Sequence, residues 1–169
     1  MLFRSILTMV VGVVMIAVST GAFALVAQGT GAGDERTVSA TTKQALVLVA
    51  AISSLLSLLG IAFSRIALEV LSMPAGVVEL GTGYLHVFFA GLAFMALNFT
   101  LNNCLYGAGD ARTPLYLNLF MSALKIALSY LLIFGAGPLP ALGVNGAALA
   151  TVLSRAAGFT LAIVLVKSD

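Results

Sequence analysis

Residues 44–64, QALVLVAAISSLLSLLGIAFS, contain no Asp, Glu, Lys or Arg. A helix needs roughly 20 apolar residues to cross a bilayer, so this stretch is long enough. Residues 5–33 and 80–109 also lack these four residue types and are of sufficient length. The apolar residues do not alternate with polar ones, as they do in the strands of a membrane barrel. The sequence therefore predicts an all-α membrane protein.

The composition excludes several other classes of protein. Of the 169 residues, 61% are hydrophobic and 8% are charged, with a mean hydropathy of +1.14, which excludes a soluble globule and a disordered chain. The net charge is +2 and the cations form no basic face, so no nucleic acid is expected as a partner. With Cys104 as the one cysteine and His86 as the one histidine, we expect no intramolecular disulfide and no metal site.

Two further apolar stretches each carry one cation near the middle, Lys125 in the first and Arg155 in the second. With the three uncharged stretches they predict five transmembrane helices, with spans at about 5–27, 44–64, 80–104, 113–134 and 142–166. No long linker divides residues 1–169, which predicts one domain or part of one. Residues 65–79 mix charged and apolar residues around Pro74, which predicts a short interfacial segment.

The loop cations predict the orientation of the helices. Four cations lie on one side of the predicted membrane, namely Arg36, Lys43, Arg112 and Lys167, and two lie on the other, Arg4 and Arg65. The side with four is expected to be cytoplasmic. An alternative for the first span is a cleaved secretory signal ending at Ala22-Phe23-Ala24, although the uncharged run continues beyond that point.

A glycine-rich motif occurs twice on the predicted cytoplasmic side, as GAGDERT at 31–37 and GAGDART at 107–113. Its main residues are Gly31, Gly33, Asp34 and Arg36 in the first copy and Gly107, Gly109, Asp110 and Arg112 in the second. Such a turn can cap helix ends, bind lipid headgroups or act as a hinge between moving helices. Internal repetition is typical of transporters built from repeated groups of helices.

Several ordered motifs resemble the N-terminal lobe of multidrug and toxic compound extrusion (MATE) transporters. They are LYGAGDARTP at 105–114, YLLIFG at 130–135, PALGVNGAALAT at 140–151, and VAQ at 26–28 before the first GAGD. The resemblance implies two six-helix lobes around a central cavity, with these five helices corresponding to the second through sixth. Residues 1–169 would then form a single partial lobe. The first helix and the C-terminal lobe of the same transporter are then expected as partners, together with membrane lipid.

The resemblance also implies a function. The protein is expected to be a secondary active antiporter that exports cationic or amphipathic drugs in exchange for sodium ions or protons. It would need no cofactor and would lie in a bacterial or archaeal plasma membrane. No catalytic motif is present, so an enzyme is not expected. Two alternatives are a lipid-linked oligosaccharide flippase of a related two-lobe family and a truncated, non-transporting membrane scaffold.

Polar residues in the last two spans predict a cavity. Asn118, Ser122, Lys125 and Ser129 follow one another at i, i+4, i+7 and i+11, on one stripe of a helix. On the next span, Thr151 and Arg155 share a face. We expect a substrate or ion cavity lined by Asn118, Lys125, Ser129, Thr151 and Arg155. No acidic residue lies mid-span, so a partner for the two cations must come from elsewhere, or the side chain of Lys125 must extend to the membrane interface.

One position departs from the family pattern. In some branches the family's cation site uses an Asn and, one turn later, an Asp or Asn, and Lys125 and Ser129 stand at the matching positions here. The departure puts sodium coupling through this lobe in doubt, whereas Thr151 matches a Thr of the family. In the fifth span, small residues recur every four positions: Gly146, Ala150, Ser154 and Gly158. This row predicts close packing of another helix or, in the scaffold hypothesis, assembly of several chains.

Overall fold

Five α-helices make up the part of the chain that the structure describes. The structure is a computed structural model and describes residues 2–70, 75–135 and 143–168. The helices are α1 (Leu2–Gly31), α2 (Glu35–Val70), α3 (Ala75–Gly107), α4 (Arg112–Phe134) and α5 (Gly143–Ser168). No strand occurs in the described ranges. The predicted all-α fold class is confirmed.

Four of the described helices contain segments that are long and apolar enough to cross a membrane. These segments are Glu35–Ile66, Gly81–Gly107, Arg112–Phe134 and Asn145–Val164. In α1 the apolar segment Ile16–Gly31 is shorter. A helix satisfies its backbone N–H and C=O groups internally, which is why apolar segments of this length adopt it in a bilayer.

The helices extend beyond the apolar stretches from which they were predicted. α2 begins at Glu35, before the predicted start at 44, and continues to Val70. The expected interfacial segment at 65–79 is therefore mostly helix, because its two described ends belong to α2 and α3. Its centre, including Pro74, lies outside the described residues. Apolar composition marks the part of a helix that meets lipid, while the helix itself ends where its caps are.

The chain divides into two compact units. The first comprises Met1–Ser53 and Ala96–Tyr116, and the second comprises Ser54–Met95 and Leu117–Asp169. Both GAGD loops belong to the first unit, and most of α4 and all of α5 belong to the second. The repeated loops and the predicted cavity residues therefore fall in different units.

The first unit is held together by close contacts among α1, α2 and α3. Its buried apolar cluster consists of Ala22, Val26, Ala45 and Cys104, with Val38 packed against it. The buried hydroxyls of Ser19 and Thr100 lie 2.8 Å apart and form a hydrogen bond between α1 and α3. A Cβ atom on Gly107 would lie 2.7 Å from the carbonyl oxygen of Phe23, so glycine permits this approach of α3 to α1.

Small residues also determine the packing of the second unit. Gly146, Gly158, Ala150 and Ser154 are all buried on one face of α5. A Cβ on Gly146 would lie 2.5 Å from the carbonyl oxygen of Leu132, and one on Gly158 would overlap the Met121 side chain. Both of these neighbours are on α4. The predicted packing role of this small-residue row is confirmed.

The helix α3 closes the other side of the second unit. The hydroxyl of Ser57 donates a 2.6 Å hydrogen bond to the backbone carbonyl of Phe89. Gly60 packs against the ring of Phe89, and Gly91 packs against Val152 of α5. In the second unit, α3 and α4 therefore contact different faces of α5, and α5 lies between them.

The backbone contact at Gly146 yields a stability prediction. In Gly146→Ala, the new methyl group meets a backbone carbonyl that cannot rotate away. We therefore expect the free energy of unfolding to fall by about 1–3 kcal/mol, less the gain from the better helix propensity of alanine. Gly21→Ala is the matched control, because nothing lies within 4 Å of a Cβ there. Denaturation of both variants in detergent, followed by circular dichroism, measures the difference. Equal stability of the two would contradict the close contact.

Candidate functional site

An open groove of about 530 Å³ runs along one face of α4. Three of the four residues of the predicted polar stripe line it, namely Ser122, Lys125 and Ser129. All lining residues belong to α4: Ser122, Lys125, Ile126, Ser129, Tyr130, Ile133 and Phe134. Asn118 lies one turn earlier and is exposed, but does not line the groove. The structure thus brings Ser122, Lys125 and Ser129 together.

The groove is on a different face of α4 from the contact with α5. Leu117, Met121 and Leu132 are buried. At 3.6 residues per turn, the centre of the polar stripe lies about 80° around the helix from the mean direction of these side chains. Ser122 and Lys125 are accordingly exposed. Packing against α5 therefore turns one face of α4 inward and leaves the polar stripe open.

The two predicted cavity residues of α5 do not reach this groove. Thr151 is half-buried, and its hydroxyl donates a 3.0 Å hydrogen bond to the carbonyl of Ala147 in its own helix. Arg155 is also half-buried. Neither residue lines the groove on α4. A cavity shared by the two helices therefore stays a prediction.

The charge of the groove comes from Lys125. This residue lies near the middle of the apolar segment Arg112–Phe134 and is exposed. Within the described ranges, no hydrogen bond or ion pair joins its ammonium group to another residue. An ionised side chain at the centre of a bilayer costs about 2.5–3.5 kcal/mol on insertion scales. The groove is therefore positively charged, at a position where charge is unfavourable without a counter-charge or water.

The apolar side of the groove was not among the features predicted from the sequence. Tyr130 and Phe134 have ring centroids 5.4 Å apart and line the groove with Ile126 and Ile133. These residues recur at i, i+4, i+7 and i+8, which is the spacing of one helix face. This spacing is visible in the sequence, but it does not distinguish one face, because a membrane helix has apolar residues on every side. The groove combines a cation, hydroxyl groups and an aromatic wall.

The two GAGD loops have the same backbone geometry. Gly33 and Gly109 adopt the left-handed conformation, with φ of 69° and 83°, which glycine reaches without strain. After each helix, three N–H groups donate to carbonyls four, three and five residues earlier: Ala32 to Gln28, Gly33 to Thr30 and Asp34 to Gly29 in the first loop, and Ala108 to Cys104, Gly109 to Tyr106 and Asp110 to Leu105 in the second. The glycines thus close the ends of α1 and α3.

The aspartate of each loop caps the following helix. Asp34 accepts hydrogen bonds from the hydroxyl of Thr37 at 2.6 Å and from its N–H at 3.1 Å. Asp110 accepts from the N–H groups of Arg112 at 2.9 Å and Thr113 at 3.1 Å. Hydrogen bonds from the threonine side chain and backbone hold the pKa of each aspartate below its usual range.

These contacts favour the helix-cap interpretation of the repeat. The glycine ends one helix, the aspartate begins the next and the threonine donates to the aspartate, so three of the repeated residue types have structural roles. The arginines of the two loops, Arg36 and Arg112, are exposed. Binding of lipid headgroups and hinge motion stay predictions for these two side chains.

A family model and the fold together identify the class of protein. The MatE family model matches residues 3–131. The chain belongs to the MatE family. Members of this family are transporters rather than enzymes, which confirms the expectation that the chain is not an enzyme. The resemblance to MATE transporters seen in the motifs is confirmed as well.

Two bacterial relatives and one solved structure illustrate the similarity. The probable multidrug resistance protein NorM of Thermotoga maritima is 34% identical over 150 residues, covering 88% of this chain and 32% of the relative. The probable multidrug resistance protein YoeA of Bacillus subtilis is 30% identical over 152 residues, covering 90% and 33%. A crystal structure of a MATE mutant superposes with a TM-score of 0.85 at 24% identity, covering 96% of this chain and 36% of that one. The chain thus spans about a third of the length of these relatives.

The caps yield a prediction about pH and stability. Asp110→Ala removes the cap of α4 and should lower stability by about 1 kcal/mol at neutral pH. In the unaltered chain, the cap's contribution should be complete well above the ordinary aspartate pKa of 3.8 and be lost as the pH falls toward the lower pKa of the folded state, because the unfolded chain takes up the proton first. Denaturation in detergent at pH 7 and pH 3 measures both effects.

Asp110→Asn is the control for this measurement. Its amide oxygen still accepts the N–H bonds but does not titrate, so the α4 cap should persist and its share of the acid-induced loss should disappear. An undiminished acid-induced loss in this variant would show that Asp110 is not responsible.

Proposed function

We propose that the chain forms one lobe of a secondary active antiporter, which exports cationic or amphipathic drugs in exchange for sodium ions or protons. The transporter would lie in the plasma membrane of a bacterium or archaeon. The first helix of the lobe and a second lobe would complete the substrate cavity. Substrate would be bound at polar residues near the middle of the membrane, and rocking of the lobes would expose it to either side.

Membership of the MatE family supports this proposal. The relatives from Bacillus subtilis and Thermotoga maritima are both named probable multidrug resistance proteins. The matched region is about a third of each relative, so an activity of the whole protein needs more than these helices. That requirement fits a lobe that works against a partner.

The groove on α4 is the single observation that carries the proposal. It places Lys125, Ser122 and Ser129 on an exposed face in the middle of an apolar segment. Polar and ionisable side chains at this depth are expensive and mark substrate or ion pathways in membrane proteins. We therefore assign Lys125 and Ser129 to the substrate pathway and propose Asn118, Thr151 and Arg155 as further contributors to the completed cavity.

The contacts of the second unit weaken the two alternatives. In the flippase hypothesis, Lys125 and Arg155 together attract a pyrophosphate, whereas the groove contains the first and not the second. In the scaffold hypothesis, the small-residue row of α5 assembles several chains. Ala150 and Ser154 of that row are 0% and 1% exposed, and Gly146 and Gly158 pack on α4. The row is used within the chain and is not available for assembly.

A transport assay tests the proposed function. The protein is expressed from its full reading frame and reconstituted into vesicles. Two dansylated alkyl dyes with equal apolar chains are offered, one with a trimethylammonium group and one with a sulfonate group. We expect an imposed sodium or proton gradient to move at least one dye, and an ionophore that collapses the gradient to stop it. Movement of neither dye under either gradient would refute the antiporter.

A further inference from the structure

We propose that the groove on α4 binds the anionic group of a free amphiphilic molecule, with Lys125 as its counter-charge and the aromatic wall against its apolar body. This narrows the substrate class of the proposed transporter from cationic or amphipathic compounds to anionic amphiphiles. The inference rests on the proposed function only in taking the bound molecule as the transported substrate. Binding itself requires no gradient.

Charge complementarity is the first argument. Among the residues that the structure describes, one formal charge lines the groove, on Lys125, and no carboxylate does. All six acidic residues of the sequence lie near the ends of apolar stretches or between them, and none is near the middle of α4. A ligand cation would be repelled by the ammonium group, whereas a sulfonate, carboxylate or phosphate would receive charge-assisted hydrogen bonds from it.

The state of the nearby hydroxyl groups is the second argument. Several other serine and threonine hydroxyls donate to carbonyls of their own helices, as Ser53 does to Val49 at 2.6 Å. The hydroxyls of Ser122 and Ser129 make no such bond within the described ranges. Both residues line the groove beside Lys125. Two hydroxyl donors are therefore available next to the ammonium group, and together they suit an oxygen-rich anion.

The apolar wall indicates an amphiphile rather than a small inorganic anion. Ile126, Ile133 and the two aromatic side chains Tyr130 and Phe134 line the same groove. Tyr130, Phe134 and Ile126 are exposed, so their apolar surface is open to a ligand. Close packing of an apolar chain or ring against these side chains contributes many weak dispersion contacts. A molecule with an anionic group and an apolar chain or ring system would satisfy both parts of the groove.

The depth of Lys125 argues for a free molecule rather than a lipid of the bilayer. At 1.5 Å per residue, Lys125 lies about 20 Å along α4 from Arg112 and about 14 Å from Phe134. The headgroups of bilayer lipids lie near the ends of a spanning helix. A phosphate held at headgroup depth would therefore be too far from the ammonium group of Lys125. The proposal commits to a free amphiphile that enters the middle of the membrane.

Equilibrium binding of a charge-matched pair of probes tests the proposal. The protein is placed in nanodiscs of zwitterionic phosphatidylcholine and titrated with the dansylated alkylsulfonate and the dansylated alkyltrimethylammonium, with empty nanodiscs subtracted. We expect the sulfonate to bind at least about tenfold more tightly, a conservative value for a charge-assisted hydrogen bond. Equal binding, or tighter binding of the ammonium probe, would overturn the proposal.

Variants assign the preference to the groove. Lys125→Gln should abolish the preference for the sulfonate, and Lys125→Arg should retain most of it. Lys43→Gln is the matched control, because it removes the same charge from an exposed lysine outside the groove. Circular dichroism checks that each variant is folded. A preference that survives in Lys125→Gln, or is lost in Lys43→Gln, would overturn the assignment to Lys125.

A second arm separates the free amphiphile from bilayer lipid. Nanodiscs that contain phosphatidylglycerol present anionic headgroups at the ends of the helices. We expect binding of the sulfonate probe to show the same dependence on Lys125 in these discs. Complete loss of that dependence would show that lipid occupies the groove and would overturn the proposal.

The binding and transport assays fail independently. A sulfonate preference that depends on Lys125, without gradient-driven movement of either dye, supports this proposal and refutes the antiporter. Gradient-driven movement of the ammonium dye, without a sulfonate preference, refutes this proposal and supports the antiporter.

Discussion

The contact between the small-residue row of α5 and α4 determines which face of α4 is open. Gly146 lets α5 approach the backbone of α4 at Leu132, and Gly158 accommodates Met121. With those two side chains turned inward, helical periodicity places Lys125 about 20–40° around α4 from them, and the centre of the polar stripe about 80° away. Larger residues in the row would separate the two helices and remove the constraint on the rotation of α4. The location of the groove on α4 thus depends on the small size of the residues in this row of α5.

Each repeated loop provides hydrogen-bond partners for the ends of two helices with only a few residues. The last carbonyls of one helix and the first N–H groups of the next have no partners within their own helices. In each loop, a left-handed glycine returns the backbone to the first helix and an aspartate accepts from the start of the next. The resemblance between the copies has a limit, however. Gly107 packs against α1, whereas nothing lies within 4 Å of a Cβ at Gly31.

The number and order of the helices could be predicted from apolar runs, since a bilayer imposes a minimum length on any helix that crosses it. Their ends could not, because α2 begins at Glu35 under the Asp34 cap and not where the apolar run starts. The polar face of α4 was predictable from spacing alone. Whether Thr151 and Arg155 share its cavity was not, because that depends on the rotation of one helix against another.

The fixed charge of Lys125 also limits where a coupling ion can bind. A sodium ion 4 Å from an ammonium group would be repelled by about 4 kcal/mol at an effective dielectric constant of 20. Hydroxyl ligands such as Ser122 and Ser129 carry no formal charge with which to offset this repulsion. An antiporter with this groove that uses sodium therefore has to bind it at other residues and to couple it to the substrate through movement of the helices. Competition for a single site, which needs ligand and ion to prefer the same charge, does not suit a groove whose own charge is positive.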